Sequence, residues 1–307
     1  MDTSVDILCL GEPMAEFNET EPGIYQRGFG GDTSNCAIAA ARQGASVAYL
    51  TALGTDTFGD ELVALWTAEG VATTHVVRDP NAPTELYFIT HDAGGHHFTY
   101  RREGSAASRM RAQQLPGEAL RGCRYLHLSA ISQAISADAC DACFEAMAVA
   151  RSAGAQISYD TNLRLNLWPL ARARAVVEAS LRYADIVLPS LEDAAALSGL
   201  EEPQQVLDWL LKAGPKLVAL TMGVDGCWLA TPEGREHIPA HIVQAVDATA
   251  AGDVFDGALL ARLAAGDAPG SAARYASVAA ALSTQGIGAV APIPRAQDVH
   301  KILDLPH

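Results

Sequence analysis

The chain has 307 residues, of which 49% are hydrophobic and 19% are charged, a composition that argues for a folded protein and against a disordered one. Its net charge of −15 argues against nucleic acid and against an anionic membrane as the main partner. No run approaches the ~20 apolar residues that cross a bilayer, and the chain starts acidic where a secretory signal would be basic, which predicts a cytoplasmic protein.

The first predicted elements alternate between strands and helices. Residues 16–29 are polar and punctuated by glycine and proline, so the strands there are expected to be short and exposed. The predicted strands cover 7–12, 16–29 and 47–50, and the predicted helices cover 36–42 and 54–70.

Residues 84–89 and 97–102 predict a β-hairpin around a glycine-containing turn at 92–95. No long helix separates these two strands, in contrast to nearly every later pair. We therefore expect a small antiparallel flap outside the main sheet.

After Gly104 the pattern becomes a regular alternation of strands and helices. This spacing predicts a parallel sheet covered on both faces, with ligands bound at the carboxyl ends of its strands. We see no linker and no repeat, so we expect one domain over residues 1–307. The predicted strands are 125–128, 156–160, 185–189, 216–221 and 242–246, and the last precedes a helix over 254–263.

The chain has six cysteines, and only Cys140 and Cys143 are spaced as C-x-x-C. They fall in a predicted helix, with no second pair to complete a zinc site. Buried or half-buried free thiols are the favoured interpretation.

The stretch 247–253 joins the predicted strand 242–246 to the helix after it, mostly through small residues. A helix that begins here would present unpaired N–H groups to a phosphate at the positive end of its dipole. The Asp253 carboxylate would repel a bound phosphate, so its position does not suit simple anion binding. It suits catalysis, in which the carboxylate accepts a proton from a hydroxyl that attacks the phosphorus. The alternative is an ordinary helix with a favourable Asp in its first turn.

The turn Gly30 to Asn35 offers N–H groups and polar side chains just before a helix. Polyhydroxylated ligands need such a mixture of donors and acceptors. A loop capped by Ser34 or Asn35 is the alternative explanation.

Two arginines are expected at the ligand edge of the sheet. Tyr100 and Arg102 face the same way on a strand, Tyr87 on the partner strand could join them, and Arg164 follows the end of strand 156–160. Converging arginines in an acidic protein suggest a ligand that carries a carboxylate or a phosphate. Ion pairs at the surface are the alternative.

Two further turns follow predicted strands. Ser190 and Asp193 could hold metal-bound water near a nucleotide phosphate, or merely begin a helix. Residues 221–226 could pass under nucleotide phosphates, or simply form a hairpin turn. The motifs G-x-x-x-x-G-K-[ST] and G-x-G-x-x-G after the first strand are absent, so a nucleotide site would be of another kind.

Taken together, the stretches from Val5 to Pro294 resemble the ribokinase-like (PfkB) family of carbohydrate kinases. Gly30-Gly31 with Asn35 is similar to the N-terminal signature of the family, and residues 247–253 are similar to its C-terminal signature D-T-x-G-A-G-D. The order and spacing of four or five motifs match, which is more specific than any one of them.

The resemblance implies a three-layer α/β/α body with a mainly parallel sheet and a small β-sheet lid, at about 12–30 and 84–104, that closes on a sugar. It implies that ATP phosphorylates a sugar hydroxyl with Mg²⁺ on the phosphates, and it leaves a requirement for a monovalent cation open. Asp253 would be the general base, and the N–H groups of Ala250, Ala251 and Gly252 would form the anion hole. The residues implied along ATP are Ser190, Thr221, Gly223, Gly226 and Gly252, with Asp193 as an indirect metal ligand.

Within the family, residues 100–108 and 160–168 are similar to stretches of the 2-keto-3-deoxygluconate kinases, Y-x-R-x-G-S-A-A and D-x-N-x-R-x-x-L-W. The expected reaction is phosphorylation of the terminal hydroxyl of that sugar acid. The exact epimer stays open, and exposed lid strands make a homodimer through the lid plausible. The implied substrate-binding residues are Gly30, Gly31, Asn35, Tyr87, Tyr100, Arg102, Arg164 and Asp253.

The sequence departs from the family pattern at four positions. Ala248 and Ala250 replace the usual Thr and Gly, and Ala250 should admit phosphate if its backbone is helical. Ser190 and Asp193 replace the usual Asn and Glu, which bears on metal affinity. The alternatives are a ribokinase- or fructokinase-like kinase for a neutral sugar, and a sugar-binding regulator without catalysis.

Overall fold

The computed structural model describes residues 4–92 and 95–303, and within these ranges the chain forms two separate sheets and eleven α-helices. The strands of the large sheet are β1 (Val5–Leu10), β4 (Val47–Gly54), β5 (Val71–Asp79), β8 (Cys123–Ser129), β9 (Gln156–Asp160), β10 (Ile186–Leu188), β11 (Leu217–Thr221), β12 (Cys227–Thr231) and β13 (Gly234–Ile238). Those of the small sheet are β2 (Met14–Glu21), β3 (Ile24–Gly30), β6 (Glu85–Asp92) and β7 (Gly95–Arg101). The helices are α1 (Asp32–Arg42), α2 (Thr57–Ala68), α3 (Gly117–Gly122), α4 (Ala130–Ala134), α5 (Ala137–Ser152), α6 (Leu170–Leu181), α7 (Leu191–Ser198), α8 (Pro203–Lys212), α9 (Ala251–Ala264), α10 (Pro269–Ser283) and α11 (Ala296–Leu303).

The large sheet has the strand order β13-β12-β11-β10-β9-β8-β1-β4-β5, and the seven strands from β11 to β5 are parallel. Consecutive residues of β1 enter opposite cores, because Ile7 packs with α1, α9 and α10 while Leu8 packs with α5, α6 and α8. Both faces are therefore buried, as near-continuous apolar strands require. The predicted three-layer α/β/α architecture is confirmed.

The small sheet has the order β3-β2-β6-β7, with β6 and β7 antiparallel as the predicted hairpin requires. Residues 93–94 of the predicted turn lie outside the described residues. The outer face packs on α2 through Phe17, whose ring centroid is 5.7 Å from that of Phe58, and through the ion pair of Arg27 with Glu61. The opposite face of this lid sheet is thereby held over the carboxyl ends of the large sheet.

The strand predicted over 242–246 is wrong. These residues are irregular, and Ile242 and Val246 are 75% and 63% exposed. The N–H groups of Val246 and Asp247 both donate to the carbonyl of Thr284, at the end of α10. The segment bonds to a helix end instead of a sheet edge, so its apolar side chains are not buried between layers.

The six cysteines are buried free thiols, as expected, and Cys140 and Cys143 lie on α5. In the described ranges, no group of three or more His, Cys, Asp or Glu side chains is arranged to hold a metal ion. No described helix is long and apolar enough to span a membrane.

Candidate active site

The site lies where the carboxyl ends of the parallel strands meet the N-terminus of α9. Asp253 stands in the first turn of this helix, as predicted. The N–H groups of Ala250 and Gly252 donate to no backbone carbonyl of the described chain. They remain available to an anion, as the first N–H groups of a helix are.

Ala250 has an unusual backbone conformation. Its backbone is left-handed, with φ 62° and ψ 9°, and it alone among the described non-glycine residues has a positive φ. The condition attached to this alanine, a helical backbone, is thus met only in the left-handed sense. The left-handed turn also lets the Ala251 N–H donate to the Ala248 carbonyl at 3.2 Å, so this amide is not free, in contrast to its predicted place in the anion hole.

Asn35 joins the N-terminal and C-terminal signatures directly. Its side-chain amide donates to the Asp253 carboxylate at 2.8 Å. The two helices that carry these residues approach closely at Gly257, where an added Cβ would lie 2.3 Å from the Cys36 carbonyl oxygen. Only a glycine permits this backbone contact, and the contact brings the two signatures together.

The electrostatic surroundings of Asp253 suit a proton acceptor. Withdrawal from water raises the pKa of its carboxyl group to about 8, and the nearby Asp32 carboxylate adds to the rise. The hydrogen bond from Asn35 and the charge of Arg164 oppose it. A carboxylate with a raised pKa is a stronger base once it is ionised.

The turn before α1 is not an ordinary capped loop. Gly31 is the N-terminal cap, with φ 109° and no side-chain cap, and an added Cβ would lie 2.4 Å from the Glu12 carbonyl oxygen. Ser34 accepts instead from the indole of Trp66 at 2.9 Å, and Asn35 faces Asp253. The capping alternative is therefore wrong for both side chains.

The lid supplies an aromatic wall. The ring centroids of Tyr87 and Tyr100 lie 5.9 Å apart with the planes 27° from parallel. The Tyr87 hydroxyl donates to the buried Glu16 carboxylate and comes so close to Gly30 that a Cβ there would lie 2.5 Å from it. Gly30 thus lets the tyrosine approach the backbone just before α1.

The two predicted arginines differ in setting. The Arg102 side chain is 12% exposed, its guanidinium carbon lies 4.4 Å from the Tyr100 ring centroid, and its Nε has no hydrogen-bond partner. Arg164 is exposed, yet its charge opposes the rise that burial causes in the pKa values of Asp253, Asp193 and Tyr100. The charges of both guanidinium groups therefore affect the Tyr100 hydroxyl.

A cavity of about 310 Å³ lies beside the first turns of α9. Thr221, Gly223, Gly226 and Gly252 line it, which brings together four of the five residues predicted along a nucleotide. Most of the other lining side chains are apolar, and they include Val243 from the irregular segment.

Ser190 caps α7, since its hydroxyl accepts from the Asp193 N–H at 3.1 Å. It also pairs with Thr221 in an isolated bridge. The predicted turn at 221–226 is confirmed as a connection between antiparallel strands, and Gly226 is required there, because a Cβ would lie 2.2 Å from the Ile238 carbonyl oxygen.

Comparison with known proteins identifies the class of this site. Residues 5–296 match the pfkB family of carbohydrate kinases. The chain belongs to this family.

Two curated relatives of this carbohydrate kinase differ in substrate. The chain is 33% identical to fructokinase-1 of Oryza sativa subsp. japonica over 97% of each chain. It is also 33% identical to 2-dehydro-3-deoxygluconokinase of Escherichia coli K12 over 94% of this chain and 98% of that protein. The fructokinase of Vibrio cholerae O395, solved with fructose, ADP and a calcium ion, matches with a TM-score of 0.90 at 26% identity, over 99% of this chain and 100% of that chain.

Sequence reasoning missed several residues of the kinase site. Glu12 and Glu16 lie buried against Arg102 and Tyr87, and Asn162 donates to Asp32 at 3.0 Å. The position of Glu12 directly after a buried strand was an available signal, because such positions lie at the ligand edge of the sheet.

Proposed function

We propose that this carbohydrate kinase transfers the γ-phosphoryl group of ATP to the terminal primary hydroxyl of 2-keto-3-deoxygluconate, also called 2-dehydro-3-deoxygluconate. The observation that carries the substrate class is Arg102, a largely buried guanidinium with an unpartnered Nε. A neutral sugar offers this Nε no charged acceptor, and a buried donor without a hydrogen-bond partner is costly. A sugar carboxylate can accept hydrogen bonds from the guanidinium.

The proposed chemistry starts at Asp253, which takes the proton of the attacking hydroxyl. Asn35 orients the carboxylate through its 2.8 Å hydrogen bond. The N–H groups of Ala250 and Gly252, at the positive end of α9, hold the charge of the phosphoryl group during transfer. Replacement of Asp253 by Asn is expected to lower kcat by roughly 10²–10⁴-fold with a small change in sugar affinity, and near-normal kcat would refute the assignment.

The nucleotide is proposed to occupy the cavity of about 310 Å³, with its phosphates toward Gly252. Mg²⁺ would neutralise charge on those phosphates. Mg²⁺ is usually held by one or two carboxylates together with phosphates and water. Asp193 suits an indirect role, since it is half-buried and its pKa is raised by burial. A divalent cation would offset the electrostatic repulsion between the carboxylates of Asp193 and Asp160.

The test is a coupled assay of ATP turnover against a panel of sugar acids and neutral sugars. With the sugar acid, Arg102→Ala and Arg164→Ala are expected to raise KM at least tenfold, because each removes a charged hydrogen-bond donor. Arg101→Ala is the matched control, since Arg101 is exposed and directly precedes Arg102 at the end of β7. Unchanged kinetics in both pocket variants would contradict a sugar-acid substrate.

Phosphorylation of a neutral sugar is the second candidate, because fructokinase-1 is as similar to the chain as the 2-dehydro-3-deoxygluconokinase. The same panel separates the two functions. Turnover of fructose at low KM, with none for the sugar acid, would favour a fructokinase.

We also propose a homodimer through the lid. Ile24, Tyr25 and Phe98 of the lid sheet are 56%, 40% and 54% exposed, and large exposed apolar side chains on a sheet favour association. Light scattering coupled to size-exclusion chromatography tests this, and a monomer at micromolar concentration would contradict it.

A further inference from the structure

Glu12 is a buried acid that the proposed chemistry does not use. It lies in the connection between β1 and β2, where the chain passes from the body to the lid. Its carboxyl group has no exposed surface, and neither oxygen has a hydrogen-bond partner. A buried carboxylate is stable only beside a compensating charge.

That charge comes from Arg102. One Nη of the guanidinium lies 3.3 Å from Glu12 Oε2, and the same nitrogen lies 3.5 Å from the sulfur of Met14. The guanidinium stacks on Tyr100, and its Nε faces no partner. Glu12 therefore holds Arg102 through one Nη, while the buried Nε is left without a hydrogen-bond partner.

The other titratable groups around Glu12 are mostly acidic. Asp32 on α1 raises the pKa of Glu12, Glu85 on β6 interacts with Glu12 by charge, and the hydroxyls of Tyr49 and Tyr100 also sense its charge. Glu85 is itself buried. One of its oxygens accepts from the Ala107 N–H at 2.9 Å, and the other has no partner.

Burial raises the pKa of Glu12 to about 7, although the charge of Arg102 opposes the rise. Burial likewise raises the pKa of Glu85 to about 8. Glu12 is thus partly ionised near pH 7, whereas Glu85 is mostly protonated, and a small change in charge nearby would shift the protonation of either group.

We propose that Glu12 is a positioning residue that holds Arg102 through an ion pair before the sugar binds. When the sugar acid binds, the guanidinium pairs with the substrate carboxylate instead, and Glu12 takes up one proton. The inference rests on the proposed sugar-acid substrate. One guanidinium cannot compensate two carboxylates in a site without water, so the more deeply buried one is neutralised. The proton comes from solvent and protonates a Glu12 oxygen, and no covalent bond between heavy atoms changes.

Proton uptake on binding makes affinity depend on pH. At pH values where Glu12 is ionised in the free protein, each rise of one pH unit is expected to weaken sugar-acid binding by up to about tenfold. A neutral sugar would show no such dependence, since it leaves the ion pair of Glu12 with Arg102 intact.

The test is isothermal titration calorimetry of 2-keto-3-deoxygluconate at pH 8, in buffers that differ in protonation enthalpy. The protein is Asp253→Asn, which removes the titration of the proposed base. We expect an uptake approaching one proton per sugar. Adding Glu12→Gln should abolish the uptake and tighten binding at pH 8 by about tenfold. Glu21→Gln, at an exposed position of the lid, is the matched control and should change neither quantity.

Each outcome decides between explanations. Heat that is independent of the buffer, or uptake that persists after Glu12→Gln, would overturn the role of Glu12. Uptake lost after Glu85→Gln but kept after Glu12→Gln would assign the proton to Glu85 instead. If Glu12→Gln fails to fold, uptake retained in Glu85→Gln supports Glu12, and uptake lost there refutes it. Absence of sugar-acid binding at every pH would contradict the proposed function rather than this inference.

Discussion

Gly257→Ala tests the contact that brings the two signature stretches together. In the structure, a Cβ at residue 257 would lie 2.3 Å from the Cys36 carbonyl oxygen, 2.8 Å from Ala39 Cβ and 2.9 Å from the Ala40 nitrogen. Two of these three atoms belong to the backbone of α1, so no side-chain rotation relieves the overlap. The helices α1 and α9 must instead move apart by about 1 Å to restore van der Waals contact.

This displacement has two consequences. Overpacking of this kind costs about 1–3 kcal/mol, which corresponds to a fall in Tm of roughly 2–10 °C. The hydrogen bond between Asn35 and Asp253 would also lengthen from 2.8 Å beyond the usual limit of ~3.2 Å. Misplacement of a reacting group by ~1 Å can lower the rate about 100-fold.

Thermal unfolding and kcat should therefore both change in Gly257→Ala. Gly252→Ala, on the same helix, is the matched control for unfolding, because a Cβ there meets nothing within 4 Å. Its Tm should stay the same or rise slightly, since alanine favours a helix over glycine. An unchanged Tm and kcat in Gly257→Ala would show that the helices do not approach as described.

Three further predictions follow from the same site. If ionised Asp253 is the base, kcat should fall as pH decreases below about 8, and Asp32→Asn should move this fall to lower pH because it removes a like charge; a profile unaltered in Asp32→Asn would be contrary evidence. Ala250→Gly should raise the free energy of unfolding in urea by about 0.5–1 kcal/mol, because glycine adopts a left-handed backbone without strain. Ala251→Gly, in the right-handed helix, should lower that free energy by about as much. Equal effects of the two substitutions would contradict the assigned conformations. The hydroxyl side chains that line the proposed nucleotide cavity already donate to backbone carbonyls, so ATP and GTP should differ in kcat/KM by less than about 200-fold. A 10⁴-fold preference would show a contact that reads the base.

Local patterns were sufficient for the elements that depend on neighbouring residues. The alternation of apolar strands with helices predicted the parallel sheet, and two strand-like runs around a glycine-containing turn predicted the hairpin of β6 and β7. Asp253 was placed correctly in the first turn of α9, because small residues before a periodic apolar run indicate a helix start. These features follow from backbone geometry over a few residues.

Local patterns failed where contacts with residues distant in sequence set the backbone conformation. The apolar run 242–246 has the composition of a strand, but it binds the end of α10 and lines a cavity. Alanine disfavours a left-handed backbone, so Ala250 could not be assigned one from sequence; the turn that ends at α9 imposes it.

The sequence by itself therefore determined the layers of the fold and the residue types at the edge of the sheet. Only the tertiary structure decided which of them meet. Glu12 and Arg102 are 90 positions apart, Asn35 and Asp253 are 218 apart, and no pattern in one chain links either pair. Such pairs depend on how closely helices and sheets pack, as at Gly257, and that distance is set by the whole core.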